Sequence, residues 1–220
     1  MANDGSSGNS PWFNRLAHDL RSPLSSLQTA AYLLRTDPGG ETAKELSDIV
    51  VRQSQRMARM IDELDDWSRA QQGRLVDRSE RLELGGILDM AVGSIHGVSV
   101  DPHYGTGAAD ALILGDSSRL AQMFRTLLEQ TLARDAQGAR VDVALHGDNV
   151  EIVFADNGPA VDEAVRSKLL ECPQIPPLDE GLGLRLLIAK AIIDAHAGML
   201  SIEGPNVGAM QRIRVALPVA

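Results

Sequence analysis

From about residue 12 to 35, Leu16, Leu20, Leu24, Leu27, Ala31 and Leu34 recur at alternating three- and four-residue steps. That spacing lines them up on one face of a helix. TDPGG at 36–40 is a turn containing a helix stop. A second helix is predicted from about 41 to 71, where Leu46, Val50, Gln53, Met57, Met60, Leu64 and Trp67 form a heptad seam. Two such helices joined by a short turn make an antiparallel hairpin. One hairpin cannot bury its whole apolar face, and Ile49 and Ile61 widen that face further. Two hairpins close it as a four-helix bundle, so the pattern predicts a homodimer through residues 12–71. The competing arrangement packs the seam on the C-terminal domain.

Beyond residue 72 the periods alternate. QGRLVDRSE at 72–80 reads as a charged linker or first strand, followed by a helix at about 82–95 and a Gly-rich stretch at 97–110. A short strand is expected at 111–115, then a helix at 116–134 with Asp116 as N-cap. Strands are expected at 140–146 and 149–155, a helix or lid at 161–171, and a Pro-rich loop at 172–180. A helix at 182–197 precedes strands near 198–203 and 209–218. The expected fold class is α+β: a helical hairpin, then three helices on a mixed sheet as an α/β sandwich. The expected organisation is a disordered N-terminus at 1–11, the hairpin at 12–72, a linker at 73–81 and the sandwich at 82–220.

Composition narrows the function classes. Lys and Arg number 21 against 30 Asp and Glu, a formal charge of −9. An acidic surface is repelled by a phosphate backbone, which argues against a nucleic-acid partner. Aromatics are 3% of residues, so aliphatic side chains must build the core. The single cysteine, Cys172, allows no intramolecular disulfide and no cysteine metal cage, which fits a reduced, cytoplasmic setting. The start, MANDGSSGNS, lacks the basic and apolar regions of a signal peptide. No apolar run approaches the roughly 20 residues of a membrane span. A sensing role would therefore require a separate sensor protein or domain.

The chemistry gathers at four places. In AHDLRSPL (17–24), His18 precedes Asp19, and Pro23 follows five residues later. Proline removes the bond to the carbonyl four residues back, here that of Asp19. A neutral imidazole can attack phosphorus when its other ring nitrogen is held by a carboxylate, and Asp19 is placed to hold it. A lone helical histidine is usually structural, but this segment resembles the phospho-acceptor box of the sensor histidine kinases, H-[DE]-x-[RK]-[ST]-P-L. RQSQRMARMIDELDDWSRAQQGRL at 52–75 is similar to that family's dimerisation helix and its exit. VFADNGPAV (153–161) resembles the family's first glycine box, with Asp156 and Gly158 matched and Ala160 in place of the second glycine. GLGLRLLIAKAIIDAHAGML (181–200) resembles the second, nearly end to end, with Ala197 replacing one glycine. DSSRLAQMFRTLLEQTLAR (116–134) resembles the asparagine box. There Thr126 and Gln130 stand where the family has asparagines, and Ala133 where it has lysine.

The resemblance covers residues 12–220 and implies a dimerisation and phosphotransfer hairpin before an ATP-binding domain of the histidine-kinase and Hsp90-like type. It implies two-component signalling: ATP-dependent phosphorylation of His18, with Asp19 orienting and deprotonating the ring, then transfer to an aspartate of a response-regulator receiver domain. Asp156 would read the adenine amine, with Gly158, Gly181, Gly183, Leu184, Thr126 and Gln130 around the nucleotide. Gln130 would stand in for the Mg²⁺-binding asparagine, with one extra methylene. Ser22 falls where the family carries Thr or Asn for dephosphorylating the regulator. The short Pro-rich stretch between the glycine boxes leaves little of the usual lid. The substitutions at Thr126, Gln130 and Ala133 keep a second expectation open: a degenerate phosphotransfer or scaffold protein in which His18 relays phosphate from another protein. A different ATPase of the same superfamily is disfavoured, since it would not need the hairpin.

Overall fold

The computed structural model describes residues 10–36, 39–95, 97, 100–135, 137–204 and 211–220. Most of the segment expected to be disordered, and the start of the last expected strand, lie outside the described residues. Two compact units emerge. One comprises the chain up to Asp65 with Asp179–Leu182; the other comprises Asp66–Leu178 with Gly183–Ala220.

The first unit is built from helix α1 (Ser10–Thr36) and most of helix α2 (Gly40–Gln71). Pro23 lies inside α1 without ending it. In α2 the heptad seam does face inward, with Leu46 and Met60 buried; in α1 the inward face is set one residue back from the expected stripe, with Pro23 and Ala30 buried while Leu24 and Ala31 are exposed. A single hairpin leaves much apolar surface uncovered, however. Leu24, a seam residue, is 43% exposed, and Leu33, Val51 and Ile61 are exposed as well.

The second unit begins with β1 (Glu80–Glu83), α3 (Leu84–Gly93), β2 (His103–Tyr104), β3 (Leu112–Gly115) and α4 (Ser117–Arg134). It continues with β4 (Arg140–His146), β5 (Asn149–Asp156), a short α5 (Glu163–Arg166), α6 (Arg185–Ala195), β6 (Met199–Glu203) and β7 (Gln211–Pro218). Five strands form a sheet in the order β2-β4-β5-β7-β6, and β1 pairs with β3 in a separate ribbon. Among the described residues, only the β2–β4 pairing is parallel. Strand alternation drives Val141, Val143, Val150, Ile152 and Phe154 inward, where α4 and α6 supply Met123, Phe124, Leu127, Ile188, Ile192 and Ile193. The Phe124 and Phe154 rings meet at 6.3 Å between centroids, joining α4 to β5.

Three details differ from the sequence pattern. The Gly-rich stretch hides β2, whose two residues are too few to show a period. The expected 161–171 helix contracts to four residues followed by turns. Helix α6 starts at Arg185 rather than 182, because Gly183 has φ +77°, outside the helical region.

Candidate functional site

His18 sits on α1 with its side chain 78% exposed, so the ring is open to reagents. Its Nδ1 lies 3.3 Å from Asp19 Oδ1. Asp19 is itself steadied by Arg15, whose Nε–H donates to Oδ2 at 3.2 Å. With Nδ1 carrying the proton toward Asp19, the lone pair is on Nε2, the outer nitrogen. Pro23 offers no N–H to the Asp19 carbonyl, which loosens the helix ladder beside His18. Ser22, one turn further along, is exposed.

In the second unit, β5 delivers Asp156 at its end, 1% exposed. The Gly158 amide donates to Asp156 Oδ1 at 2.9 Å. A Cβ on Gly158 would stand 2.9 Å from the Arg134 carbonyl oxygen and from Asp156 Oδ1, so a side chain there would push the loop off the end of α4. Thr126 and Gln130 lie one turn apart on α4 and are both 7% exposed. Gly183 has its own constraint: a Cβ would strike the backbone of Gln174, whose amide donates to the Gly183 carbonyl at 2.9 Å. Leu184 caps α6 and is buried. The start of α6 is a positive dipole end, suited to an anion. Asp156, Gly158, Thr126, Gln130, Gly183 and Leu184 thus share one unit. Gly181 belongs to the other, beside Leu182, whose amide donates to Glu63 Oε2 at 3.2 Å. His18, Asp19 and Ser22 lie in that unit too.

Among the described residues no group of three His, Cys, Asp or Glu side chains could hold a metal ion. Gln130 contributes one neutral amide oxygen. Such a donor set fits Mg²⁺ carried chiefly by nucleotide phosphates and waters, and does not fit a cation caged by protein alone.

Several pairings escaped the sequence pattern, though Arg119 and Gln122 themselves match the asparagine box. Arg134 places Nε–H 3.1 Å from Asp156 Oδ1 and 3.0 Å from Oδ2. Gln211 pairs in register with Asp156 across the sheet, is 2% exposed, and has a buried Oε1 with no hydrogen-bond partner among the described residues. Arg119 and Gln122 both donate to the Asp66 carboxylate, at 2.7 and 2.6 Å. Lys190 pairs with Asp194 one turn along α6, and His196 is held between two backbone groups.

Residues 11–73 match the His Kinase A (phospho-acceptor) domain. Residues 115–220 match the Histidine kinase-, DNA gyrase B-, and HSP90-like ATPase family. The chain is 27% identical over 202 residues to the signal transduction histidine-protein kinase/phosphatase MprB of Mycobacterium ulcerans, covering 84% of this chain and 39% of that protein. It is 25% identical over 224 residues to the sensor protein SphS of Synechococcus elongatus, covering 94% of this chain and 54% of that one. The chain therefore spans about half or less of the length of these relatives. Among solved structures, the Acinetobacter baumannii histidine kinase AdeS superposes with a TM-score of 0.72 at 16% identity, covering 92% of this chain and 98% of that one. Full-length ShkA in complex with AMPPNP gives 0.65 at 21% identity, covering 94% of this chain and 46% of that one. The likeness to both structures is one of fold.

Proposed function

The chain belongs to the sensor histidine kinase family, and from that membership we propose that it phosphorylates His18 from ATP and passes the phosphoryl group to an aspartate of a response-regulator receiver domain. The observation that carries the reading is the open His18 ring with Nδ1 against Asp19. His18 Nε2 attacks the γ-phosphorus, the N–P bond forms, and the P–O bond to ADP breaks. Asp19 takes up the Nδ1 proton as the ring becomes cationic. The receiver's aspartate then attacks phosphorus and the N–P bond breaks. Most of the rate enhancement in such a transfer comes from positioning and charge neutralisation.

In this reading Asp156 accepts the adenine amine, and Gly158 lets the planar ring approach the backbone. Gly181, Gly183 and Leu184 shape the phosphate loop at the start of α6. Thr126 and Gln130 line the same cradle from α4. Mg²⁺, when bound with ATP, neutralises the phosphates, and Gln130 is the residue that would hold it. Ser22 orients a water for dephosphorylating the regulator, a role supported by the kinase/phosphatase name of the relative MprB. The hairpin (12–72), a linker (73–81) and the ATP-binding domain (82–220) divide these tasks. Exposed Leu24, Leu33, Val51 and Ile61 support a homodimer through residues 12–71. No helix among the described residues is long and apolar enough to cross a membrane. The reading places the chain in the cytoplasm, where ATP is available, with a separate sensor protein or domain supplying the stimulus.

Incubation with γ-labelled ATP and Mg²⁺ tests the reading. Acid-labile, base-stable label is expected on the wild type and absent from His18→Gln. Label that survives His18→Gln sinks the site assignment. Label that appears only in Gln130→Asn marks a degenerate kinase instead. A monomer at micromolar concentration by equilibrium sedimentation refutes the dimer.

A further inference from the structure

Arg134 closes α4 with its guanidinium on the carboxylate assigned above to the nucleotide base. Nε–H is shared between the two Asp156 oxygens, at 3.1 and 3.0 Å, and an Nη2–H donates to the Pro159 carbonyl. The Gly158 amide takes Oδ1 as well. Arg134 is 14% exposed and Asp156 1%, so this pair is largely withdrawn from water. A carboxylate has about four lone-pair sites, and these donors already converge on the two oxygens. Bonds between two ionised groups are also roughly twice as strong as bonds between neutral ones. A neutral base amine aimed at Asp156 therefore meets an acceptor held by a stronger donor. The bond to Pro159 adds a strap, since it ties the 156–159 loop to the end of α4.

From this geometry we propose that Arg134 is a positioning residue that sets nucleotide affinity: it holds Asp156 and the 156–159 loop closed, and a nucleotide binds only when its base displaces the guanidinium from Asp156. The inference rests on the assignment of Asp156 as the base acceptor. The apparent affinity is the intrinsic affinity scaled by the fraction of molecules with Arg134 withdrawn, so a closed state populated nine-tenths of the time weakens binding about tenfold. Lysine at this position keeps the charge but cannot span both Asp156 and Pro159 with a rigid fork.

The test is calorimetric titration of ADP into the wild type, Arg134→Ala and Arg134→Lys, with circular dichroism to verify folding. Arg134→Ala is expected to bind ADP about tenfold more tightly, with Arg134→Lys in between. If Arg134→Ala fails to fold, because Asp156 is left buried without a cation, Arg134→Lys and a second readout decide. That readout is the ¹⁵N–¹H resonance of Arg134 Nε, identified by its loss in Arg134→Lys. It is expected to be protected from solvent exchange in the free protein and to lose that protection at saturating ADP. Binding by wild type only, or equally by all three, overturns the role of Arg134 and leaves the ATP site standing. Saturation with ADP that leaves the Nε resonance unmoved and protected overturns it too. Binding by the variants but not by wild type supports it strongly. No ADP binding by any of the three overturns both the role of Arg134 and the base-acceptor assignment.

Discussion

His196 Nε2 lies 3.0 Å from the backbone nitrogen of Asp116, while its Nδ1 lies 2.7 Å from the Ile192 carbonyl oxygen. The ring thus donates from Nδ1 and accepts at Nε2, stitching the end of α6 to the cap of α4. Gly115 leaves room for the ring, since a Cβ there would run into it. His196→Phe keeps the bulk but removes both bonds and strands the Asp116 amide. A loss of about 1–3 kcal/mol in urea unfolding is expected. A change within a few tenths of a kcal/mol would show that the stitch contributes nothing.

Ala197 follows His196 with φ +55°. Its amide donates to the Asp194 carbonyl and that of Gly198 to the Ile193 carbonyl, the bonding of a Schellman cap. Alanine is strained in this left-handed position and glycine is not. Ala197→Gly is therefore expected to stabilise the domain, by about 1 kcal/mol, raising its Tm. An unchanged or lower Tm would contradict the strain.

Asp66 accepts from Arg119 at 2.7 Å and Gln122 at 2.6 Å, with the Asp66 and Arg119 side chains 15% and 19% exposed. The cluster joins the last turns of α2 to α4. A double-mutant cycle on Asp66→Ala and Arg119→Ala is expected to give a coupling energy of about 1–3 kcal/mol. Strict additivity would mean that solvent satisfies both groups equally well.

Asp19→Asn keeps the size of the side chain that faces His18 Nδ1 but removes its charge. Autophosphorylation is expected to slow by roughly a hundredfold or more. ADP affinity should not change, because Asp19 takes no part in the nucleotide cradle. An unchanged rate would remove Asp19 from the mechanism.

Gly183→Ala places a methyl group against the Gln174 backbone at a φ that alanine disfavours. Nucleotide binding is expected to fall by at least tenfold, a change of about 1.4 kcal/mol. Wild-type ADP affinity in this variant would show that the loop has freedom to spare.

Much of this protein was legible along the chain because its signals are local. The steps from Leu16 to Leu34 and from Leu46 to Trp67 mark helices, since a helix repeats within four residues. The Asp116 cap showed for the same reason, with its Arg119 amide only three residues away. His18 and Asp19 are neighbours, so their pairing needed no fold. The turn at Gly183, with φ +77°, showed too, because a tight turn constrains adjacent positions.

What tertiary structure decided are pairings between residues remote in sequence. Asp156 appeared as an open acceptor at a strand end, yet Arg134, 22 residues earlier on another element, sits on it. Gln211 looked like a strand residue until its register placed it opposite Asp156. Asp66 and Arg119 are 53 residues apart, and Asp116 and His196 80. Periodicity records which face of an element turns inward. It carries no information about which polar group waits on the facing element, because that depends on how sheet and helices pack together.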